Sequence, residues 1–311
     1  TSTYINANFV RGYYGEPNYY IAAQGPLPTT VTSFVRMMWE QQCRICIQVT
    51  GFTENRKRKC ERYFPVSVGE AGAIDYDGIV CLLRSTKLKK GYQVSTLELS
   101  CEGYPTQIVL HYWFIAWPDH GVPVDGSGQL CPDNVLGMME EIRGQNSALQ
   151  SVAPPGVEQP PILVHCSAGV GRTGTIIAID HVMNAIWRAD KVDLNHIIKT
   201  IREDRMALVQ HTVQYKFAYQ AVINFAETAL KDLKGDIYEL PSVIEDSEND
   251  ARSPTKANSA GDYESVVKGD RKIKRFKQGS ISLKAEQSDK VISLCRSVVV
   301  VVVVVVVIVG G

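Results

Sequence analysis

The sequence lacks an excess of charge of either sign. Among its 311 residues, Lys and Arg together number 33 and so do Asp and Glu, which makes the formal net charge zero. Proteins that bind nucleic acid through their overall charge carry a clear basic excess. We therefore expect no nucleic-acid partner, and any affinity for an anion must come from a local group of residues.

The sequence also lacks an apolar run long enough to cross a membrane. A helix that spans a bilayer needs about 18 or more consecutive apolar residues. The nearest candidate is the almost pure valine tract at residues 298–309, which is shorter and is followed by two glycines. An artefact, a short hydrophobic tail with a membrane role and an aggregation-prone appendage all remain open for it. We assign it no function.

Disulfide and metal patterns are missing as well. The eight cysteines are scattered and no secretory signal precedes them, which favours a reducing, cytoplasmic location. Cys43 and Cys46 have the spacing of a redox or zinc motif, but they lie in or beside a strand pattern without a second pair. The six histidines show no ligand spacing. The sequence thus predicts neither a metal nor a cofactor.

Residues 1–230 carry the apolar patterns of one globular domain. Strands are predicted at residues 45–49, which alternate, at the apolar residues 107–116, and at residues 162–164. After the last strand, apolar residues recur at helical spacing in three segments, which predicts helices at residues 176–186, 194–201 and 217–225. This mixture predicts an α/β fold with a twisted mixed central sheet and helices on both faces. Because the chain begins without Met in strand-like sequence, we interpret it as part of a longer protein.

Residues 231–311 have a different composition. Apolar periodicity fades there and Ser, Asp, Glu, Lys and Gly dominate, which predicts a disordered tail. Its basic run at residues 271–275 is interpreted as a solvated linker, with a localisation signal or a contact to anionic lipid as alternatives. Tyr238 and Tyr263 lie in acidic surroundings and are candidates for regulatory phosphorylation.

Residues 165–174 (HCSAGVGRTG) combine a cysteine, small residues and an arginine between a predicted strand and a predicted helix. Small residues there let successive backbone N–H groups point inward as an anion-binding nest, to which the helix N-terminus adds positive potential. Arg172 supplies a planar fork for two phosphate oxygens. Such surroundings favour the thiolate form of Cys166. We therefore expect a nucleophile that attacks phosphorus rather than a buried structural cysteine in a turn.

This segment resembles the Cys-x5-Arg signature loop of the protein-tyrosine phosphatase family. The resemblance extends over most of residues 1–230, and its further motifs are YINAN at 4–8, YIAAQGPL at 20–27, KCERYFP at 59–65 and WPDHGVP at 117–123. The last of these resembles the mobile acid loop of the family. The resemblance implies hydrolysis of phosphotyrosine in proteins during signalling, through a cysteinyl-phosphate intermediate and without a cofactor.

The resemblance also implies roles for individual residues. Asp119 would protonate the leaving tyrosyl oxygen and later accept a proton from water, and Thr173 would hydrogen-bond the leaving thiolate. The segment 209–214 resembles the glutamine loop, in which Gln210 orients water and Gln214 assists, although His211 stands where Thr is usual. The residues expected around the substrate are Asp119, Cys166, Ser167, Ala168, Gly169, Val170, Gly171, Arg172 and Gln210. The residues expected to support them are His165, Glu54 as the brace of Arg172, Lys59, Trp117 and Gln214.

Two other functions compete with this interpretation. A phosphatase-like domain that only binds phosphotyrosine or regulates a partner typically lacks the cysteine, the arginine or the loop aspartate, whereas Cys166, Arg172 and Asp119 are all present. A dual-specificity phosphatase shares the Cys-x5-Arg loop but not the motifs at residues 4–8, 20–27 and 117–123. The recognition loop that sets tyrosine selectivity in the family would precede Tyr4, so selectivity rests on the resemblance.

Overall fold

The computed structural model describes residues 4–118, 121–154, 156, 158–188 and 190–238, with side chains described up to residue 231. A compact unit spans Thr1–Ala226, and a second unit spans Glu227–Gly311. The predicted boundary at residue 230 falls inside a helix that continues to Tyr238. The remainder of the predicted tail, with Tyr263, the basic run and the valine tract, lies outside the described residues.

The described residues form ten strands and five α-helices. The strands are β1 (Ala7–Val10), β2 (Tyr20–Gln24), β3 (Ile45–Gln48), β4 (Thr53–Glu54), β5 (Lys57–Arg58), β6 (Ile74–Tyr76), β7 (Ile79–Leu88), β8 (Tyr92–Cys101), β9 (Gln107–Phe114) and β10 (Ile162–Cys166). The helices are α1 (Val31–Glu40), α2 (Asp133–Ser151), α3 (Gly171–Trp187), α4 (Leu194–Asp204) and α5 (Thr212–Tyr238).

Eight of the strands form one sheet in the order β1-β2-β10-β3-β9-β8-β7-β6. The four strands from β2 to β9 are parallel to one another, and antiparallel strands flank them on both sides. The predicted class, a twisted mixed sheet with helices on both faces and the cysteine loop between a strand and a helix, is confirmed. Strand β10 thus lies inside the sheet, with a parallel neighbour on either side.

The central strands are more buried than their sequence pattern predicts. Residues 45–49 alternate between apolar and more polar types, yet Cys46 and Gln48 are as buried as the isoleucines. The reason is that β3 lies between β10 and β9 and is covered on both faces. The Gln48 amide remains satisfied because its nitrogen donates to the Thr50 carbonyl at 2.8 Å and its oxygen accepts from the Tyr63 hydroxyl at 3.2 Å.

A buried aspartate fastens helix α3 to the sheet. Asp180 accepts hydrogen bonds from the Tyr20 hydroxyl of β2 and from the Asn184 amide, the latter at 3.3 Å. Burial raises the pKa of Asp180, and Arg143, 3.7 Å away, opposes that rise. Because α3 begins at Gly171, this anchor also holds the helix whose first turn closes the cysteine loop.

Three buried histidines are neutral in the folded protein. Burial lowers the pKa of His111 to about 3 and the pKa values of His165 and His181 to about 4. His181 stacks on the Tyr20 ring with centroids 5.8 Å apart. Protonation of any of these imidazoles would place a charge in the buried interior, which is the cause of the lowered pKa values.

No helix in the described residues has both the length and the apolar composition that spanning a bilayer requires.

Replacing a central isoleucine tests the burial of β3. Ile47→Ala should lower the free energy of unfolding by about 2–5 kcal/mol, because it leaves a cavity where collapse is restricted. Ile47 is fully buried, whereas Ile108 of β9 is 41% exposed, so Ile108→Ala is the matched control and should cost less than about 1 kcal/mol. Urea unfolding of both variants measures the difference, and equal losses would contradict the assignment of β3 to the core.

The neutral histidines predict how stability depends on pH. Their folded pKa values lie below the value of about 6.5 in unfolded chains, so their contribution is complete above that pH and is lost as pH falls toward 4. Between pH 7 and 5.5, each buried histidine should lower the free energy of unfolding by about 1 kcal/mol. The raised pKa of Asp180 acts in the opposite direction.

The free energy of unfolding, measured across this pH window, should fall less steeply for His181→Gln than for the unaltered chain. His196→Gln controls for the replacement of an exposed imidazole. An identical slope for His181→Gln and the unaltered chain would refute the assignment of His181 as a buried neutral group.

Candidate active site

Cys166 lies at the end of β10 and at the floor of a cavity. Its residue is 5% exposed, and the strand register places it beside Gln24 of β2. The residues that follow form the loop leading to Gly171, where α3 begins. Gly169 adopts φ 72°, and a Cβ at this position would fall against the Ala23 carbonyl oxygen. Only glycine meets both conditions, so the loop can pass this closely over β2.

One peptide group in this loop carries contacts on both of its sides. The Gly169 amide donates to the Cys166 Sγ at 3.3 Å, and the Ala168 carbonyl of the same peptide accepts from Arg205 Nη2 at 3.2 Å. The N–H and C=O of a trans peptide point in opposite directions. Arg205 therefore holds this peptide from outside so that its amide faces the sulfur.

Arg205 was not predicted from the sequence. It is 6% exposed and also donates to the Gly169 carbonyl at 2.8 Å and to the side-chain oxygens of Asn8 and Asn6 at 2.6 and 2.9 Å. In the sequence it is one of several charged residues near the end of α4, with no pattern that separates it from a solvated arginine. Its role is visible only once β1 and the cysteine loop are brought together.

Arg172 and Glu54 form a bidentate pair at the side of the cavity. The two guanidinium nitrogens donate to the two carboxylate oxygens at 2.6 and 2.9 Å, and the side chains are only 14% and 5% exposed. Burial acts to raise the pKa of Glu54, but hydrogen bonds from Arg172, the Gly51 amide and the Thr50 hydroxyl lower it overall. Glu54 thus lies where a brace for Arg172 is predicted, and this pair fixes the plane of the guanidinium.

The predicted acid loop borders the same cavity. Trp117 is 5% exposed, and its indole donates to the Gly121 carbonyl at 3.1 Å across the loop. The Pro118 carbonyl accepts from Arg172 Nη2 at 3.2 Å, and Gly121 lines the cavity. Asp119 itself lies outside the described residues, so its predicted role as general acid stays a prediction. Pro118 and Gly121, the described residues on either side of the segment 119–120, therefore both lie at the site.

The predicted glutamine loop also borders the cavity. Gln214 is 6% exposed, and its oxygen accepts from the amides of Gln210 and His211 at 3.0 and 3.1 Å. A side chain on Gly171 would meet the Gln214 amide at 2.7 Å. Gln214 therefore positions the backbone of Gln210 against the start of α3. Gln210 lines the cavity and is exposed, which leaves its side chain accessible to solvent.

His165 and Thr173 lie behind the cavity wall. The His165 Nδ1 is 3.2 Å from the Cys166 carbonyl oxygen, which can only accept, so Nδ1 carries the proton. Its Nε2 lies 2.7 Å from the Tyr63 hydroxyl oxygen, whose single proton is shared among this nitrogen, His111 Nε2 and Gln48 Oε1. The Thr173 hydroxyl is buried and has no hydrogen-bond partner among the described residues. It therefore remains available to a neighbouring sulfur or phosphoryl group.

Most of the predicted site residues surround one cavity of about 250 Å³. Its lining comprises Glu54, Lys59, Gly121, Cys166, Ser167, Ala168, Gly171, Arg172, Gln210, His211, Val213 and Gln214. Of the other predicted residues, His165, Trp117, Gly169, Val170 and Thr173 are absent from this lining, although each lies in or beside the loops that form it. His211 and Val213 are lining residues for which no role was predicted.

A metal cluster is not evident in the described parts of the chain, where no group of three or more His, Cys, Asp or Glu residues is arranged to hold an ion. The donors at this site are instead a guanidinium, a lysine and backbone amides, which suit an anion.

Known proteins resemble the chain at the level of sequence. Residues 1–224 match a family model described as protein-tyrosine phosphatase. The chain is 36% identical over 214 residues to tyrosine-protein phosphatase corkscrew of Drosophila virilis, a match that covers 68% of this chain and 26% of that protein. It is 34% identical over 221 residues to tyrosine-protein phosphatase non-receptor type 5 of Rattus norvegicus, covering 71% of this chain and 55% of the relative.

A receptor-type relative and a solved structure match the same region. The chain is 34% identical over 226 residues to receptor-type tyrosine-protein phosphatase C of Rattus norvegicus, covering 72% of this chain and 16% of that protein. The crystal structure of the catalytic domain of human protein tyrosine phosphatase non-receptor type 18 matches with a TM-score of 0.61 and 33% identity, covering 71% of this chain and 74% of that one. The chain spans about half or less of the length of these full-length relatives.

Replacing Arg205 tests whether it positions the amide that faces Cys166. Arg205→Met should slow alkylation of Cys166 by iodoacetamide at pH 6.5 about threefold to tenfold, because the Cys166 sulfur loses an oriented hydrogen-bond donor. Arg84→Met is the control for replacing an arginine away from the site, since Arg84 is exposed and forms a bidentate pair with Glu98 between β7 and β8. Mass spectrometry of the labelled peptide gives the rate for Cys166 alone. Equal rates in the two variants would show that Arg205 only stabilises the fold.

Proposed function

Because the chain belongs to the protein-tyrosine phosphatase family, we propose that it hydrolyses phosphotyrosine in proteins, as a catalytic domain that acts in signalling. The observation that carries this proposal is the anion-binding cup formed by the loop of residues 166–172. Cys166 lies on the floor of the cavity with an amide directed at its sulfur at 3.3 Å, and the braced fork of Arg172 lies at the side. This arrangement suits a dianionic phosphoryl group above a nucleophilic sulfur.

In the first step, the Cys166 sulfur attacks phosphorus. An S–P bond forms as the bond between phosphorus and the tyrosyl oxygen breaks, and the electron pair leaves with that oxygen. Arg172 and the loop amides hold the three phosphoryl oxygens, whose charge the positive end of α3 also stabilises. Glu54 fixes the guanidinium plane before substrate arrives, and the Nη2 hydrogen that Arg172 donates to the Pro118 carbonyl is released to the phosphoryl group as the substrate binds.

The leaving tyrosyl oxygen needs a proton. Asp119 is proposed to supply it, carried on a loop whose neighbours Pro118 and Gly121 already border the cavity. A loop in this place can close over the substrate and exclude water while the cysteinyl-phosphate forms. Trp117 supports this arrangement, because its indole bridges the loop to Gly121.

In the second step, water attacks phosphorus and the S–P bond breaks. Asp119 accepts the water proton, Gln210 orients the water, and the Thr173 hydroxyl donates to the departing sulfur. Inorganic phosphate is released and the thiolate is restored. Gln214 contributes by holding the Gln210 amide at 3.0 Å, so Gln210 approaches the cavity from a fixed backbone.

We place the domain in the cytoplasm on chemical grounds. A thiolate nucleophile must remain reduced, and all seven cysteines among the described residues are free thiols. The proposed partners are proteins that contain phosphotyrosine. Regulatory phosphorylation of Tyr238 or Tyr263 stays a prediction from the sequence.

Phosphate release from a phosphotyrosyl peptide tests the proposal. The unaltered chain should release phosphate from this peptide but not from the matching phosphoseryl peptide. Cys166→Ser should abolish release while the peptide still binds, because serine preserves the cup but is a much weaker nucleophile. Asp119→Ala should reduce kcat by about 100-fold or more, since the leaving oxygen loses its proton donor.

Three outcomes would contradict the proposal. Continued phosphate release by Cys166→Ser would exclude the thiolate mechanism. Tight binding of the phosphotyrosyl peptide by the unaltered chain, without release, would indicate a domain that only binds phosphotyrosine. Equal rates on phosphoseryl and phosphotyrosyl peptides would indicate dual specificity instead.

A further inference from the structure

A small hairpin beside the active site stands apart from the main sheet. Strands β4 and β5 pair only with each other, with Thr53 opposite Arg58 and Glu54 opposite Lys57. The two turn residues, Asn55 and Arg56, have φ values of 49° and 60°, which is the left-handed geometry of a tight two-residue turn. Residues 55–58 are all exposed. The hairpin therefore presents its turn and second strand to solvent.

This hairpin is strongly cationic. The sequence from Asn55 to Lys59 contains four basic residues in succession and no acidic one. Arg58 is paired with Glu61, whereas no ion pair joins Arg56, Lys57 or Lys59 to any other residue that the structure describes. Because the whole chain has zero net charge, this concentration of unpaired positive charge is a local feature.

The cationic hairpin is continuous with the phosphate site. Glu54, on the first strand, holds Arg172, and Lys57 lies directly across from Glu54. Side chains in such cross-strand positions have Cβ atoms about 5 Å apart. Lys59, immediately after the second strand, lines the cavity. Positive charge thus extends from the cup outward along one short element.

The described rim offers no carboxylate that would compete for these cations. Among the cavity-lining residues, Glu54 is the one acid, and both of its oxygens are already bound by Arg172. The glutamine loop adds Gln210, His211, Val213 and Gln214 to the lining, and none of these is acidic. An acidic ligand beside the cup would therefore find its attraction on the hairpin side.

We propose that the β4–β5 hairpin is a docking surface for acidic residues near the phosphotyrosine of a substrate. This inference rests on the proposed function and adds a substrate class to it: phosphotyrosine within an Asp- or Glu-rich segment. An extended chain advances about 3.4 Å per residue, so carboxylates within about four positions of the phosphotyrosine can reach Arg56 and Lys57. Docking through exposed charges raises encounter rates and selects among partners more than it adds affinity.

Peptide binding to the full chain carrying Cys166→Ser provides the test, because it does not depend on turnover. Two phosphotyrosyl peptides of equal length are compared, one with Glu and one with the neutral isostere Gln at the flanking positions. The Glu peptide should bind more tightly, and the preference should shrink as NaCl is raised from about 50 to 300 mM, because salt screens exposed charges. Fluorescence anisotropy of labelled peptides gives both dissociation constants.

The hairpin variant Arg56→Ser/Lys57→Ser should reduce the Glu-over-Gln preference by about threefold to tenfold, as expected for the loss of two exposed ion pairs. The matched control is Lys87→Ser/Lys90→Ser, which removes the same charge from two exposed lysines at the β7–β8 hairpin. Strand β7 lies four places from β10 in the sheet, roughly 19 Å at the usual strand spacing. This control should leave the preference unchanged.

The reversal Arg56→Glu/Lys57→Glu should bind a Lys-flanked phosphotyrosyl peptide better than the Glu peptide. Equal effects of the hairpin and control pairs, or no Glu preference in the starting protein, would overturn the docking surface. Hydrolysis of para-nitrophenyl phosphate by the chain with Cys166 intact is measured in parallel, since this small aryl phosphate has no flanking residues. Its absence would refute the proposed function while the binding data still decide the docking surface.

Discussion

The site depends on the peptide group between Ala168 and Gly169. Its carbonyl is held from outside by Arg205 at 3.2 Å, and its amide faces the Cys166 sulfur at 3.3 Å. The close passage over Ala23 and the positive φ at Gly169 leave no room for a side chain. A single peptide orientation thus links strand β1, through Arg205 and its asparagine partners, to the atom that would react. The other loop residues are arranged around this orientation.

The buried polar groups around the cysteine loop are ion-paired, hydrogen-bonded to several acceptors, or neutral. Arg172 and Glu54 share two hydrogen bonds, and the two Nη atoms also donate to the Val49 and Pro118 carbonyls. His165 lies directly before the cysteine, yet burial keeps it neutral, with one nitrogen on the Cys166 carbonyl and the other on Tyr63. A neutral imidazole can orient the loop without adding a mobile charge behind it. Positive charge near the cup comes from Arg172 and Lys59, which line the cavity, from the adjoining hairpin, and from the buried Arg205 behind the loop.

Sequence reasoning was most successful where chemistry and local pattern coincide. Residues 165–174 predicted a strand, a loop and a helix, and the structure has β10 ending at Cys166 and α3 beginning at Gly171. The sequence pattern was less accurate where burial depends on the position of a strand in the sheet. Cys46 and Gln48 are buried by the neighbouring strands, and the alternating pattern of β3 does not reveal those neighbours. The predicted strand at residues 107–116 ends at Phe114 for a related reason, because the chain then leaves the sheet toward the loop at Trp117. Arg205 was missed altogether, because its partners are distant in sequence.

The sequence by itself determined the kind of chemistry available: a cysteine and an arginine six positions apart, small residues between them, and the motifs that resemble the family. These are local facts, since backbone conformation and the spacing of side chains along one loop follow from neighbouring residues. The pairing of Glu54 with Arg172 was implied by the resemblance alone, and the contact itself forms only in the tertiary structure, because Glu54 is 118 positions away. Only the tertiary structure decided that Arg205 would grip the loop, that His165 would be neutral and that a basic hairpin would adjoin the cup. Those outcomes depend on burial and on contacts between distant segments, and these exist only after the chain has folded.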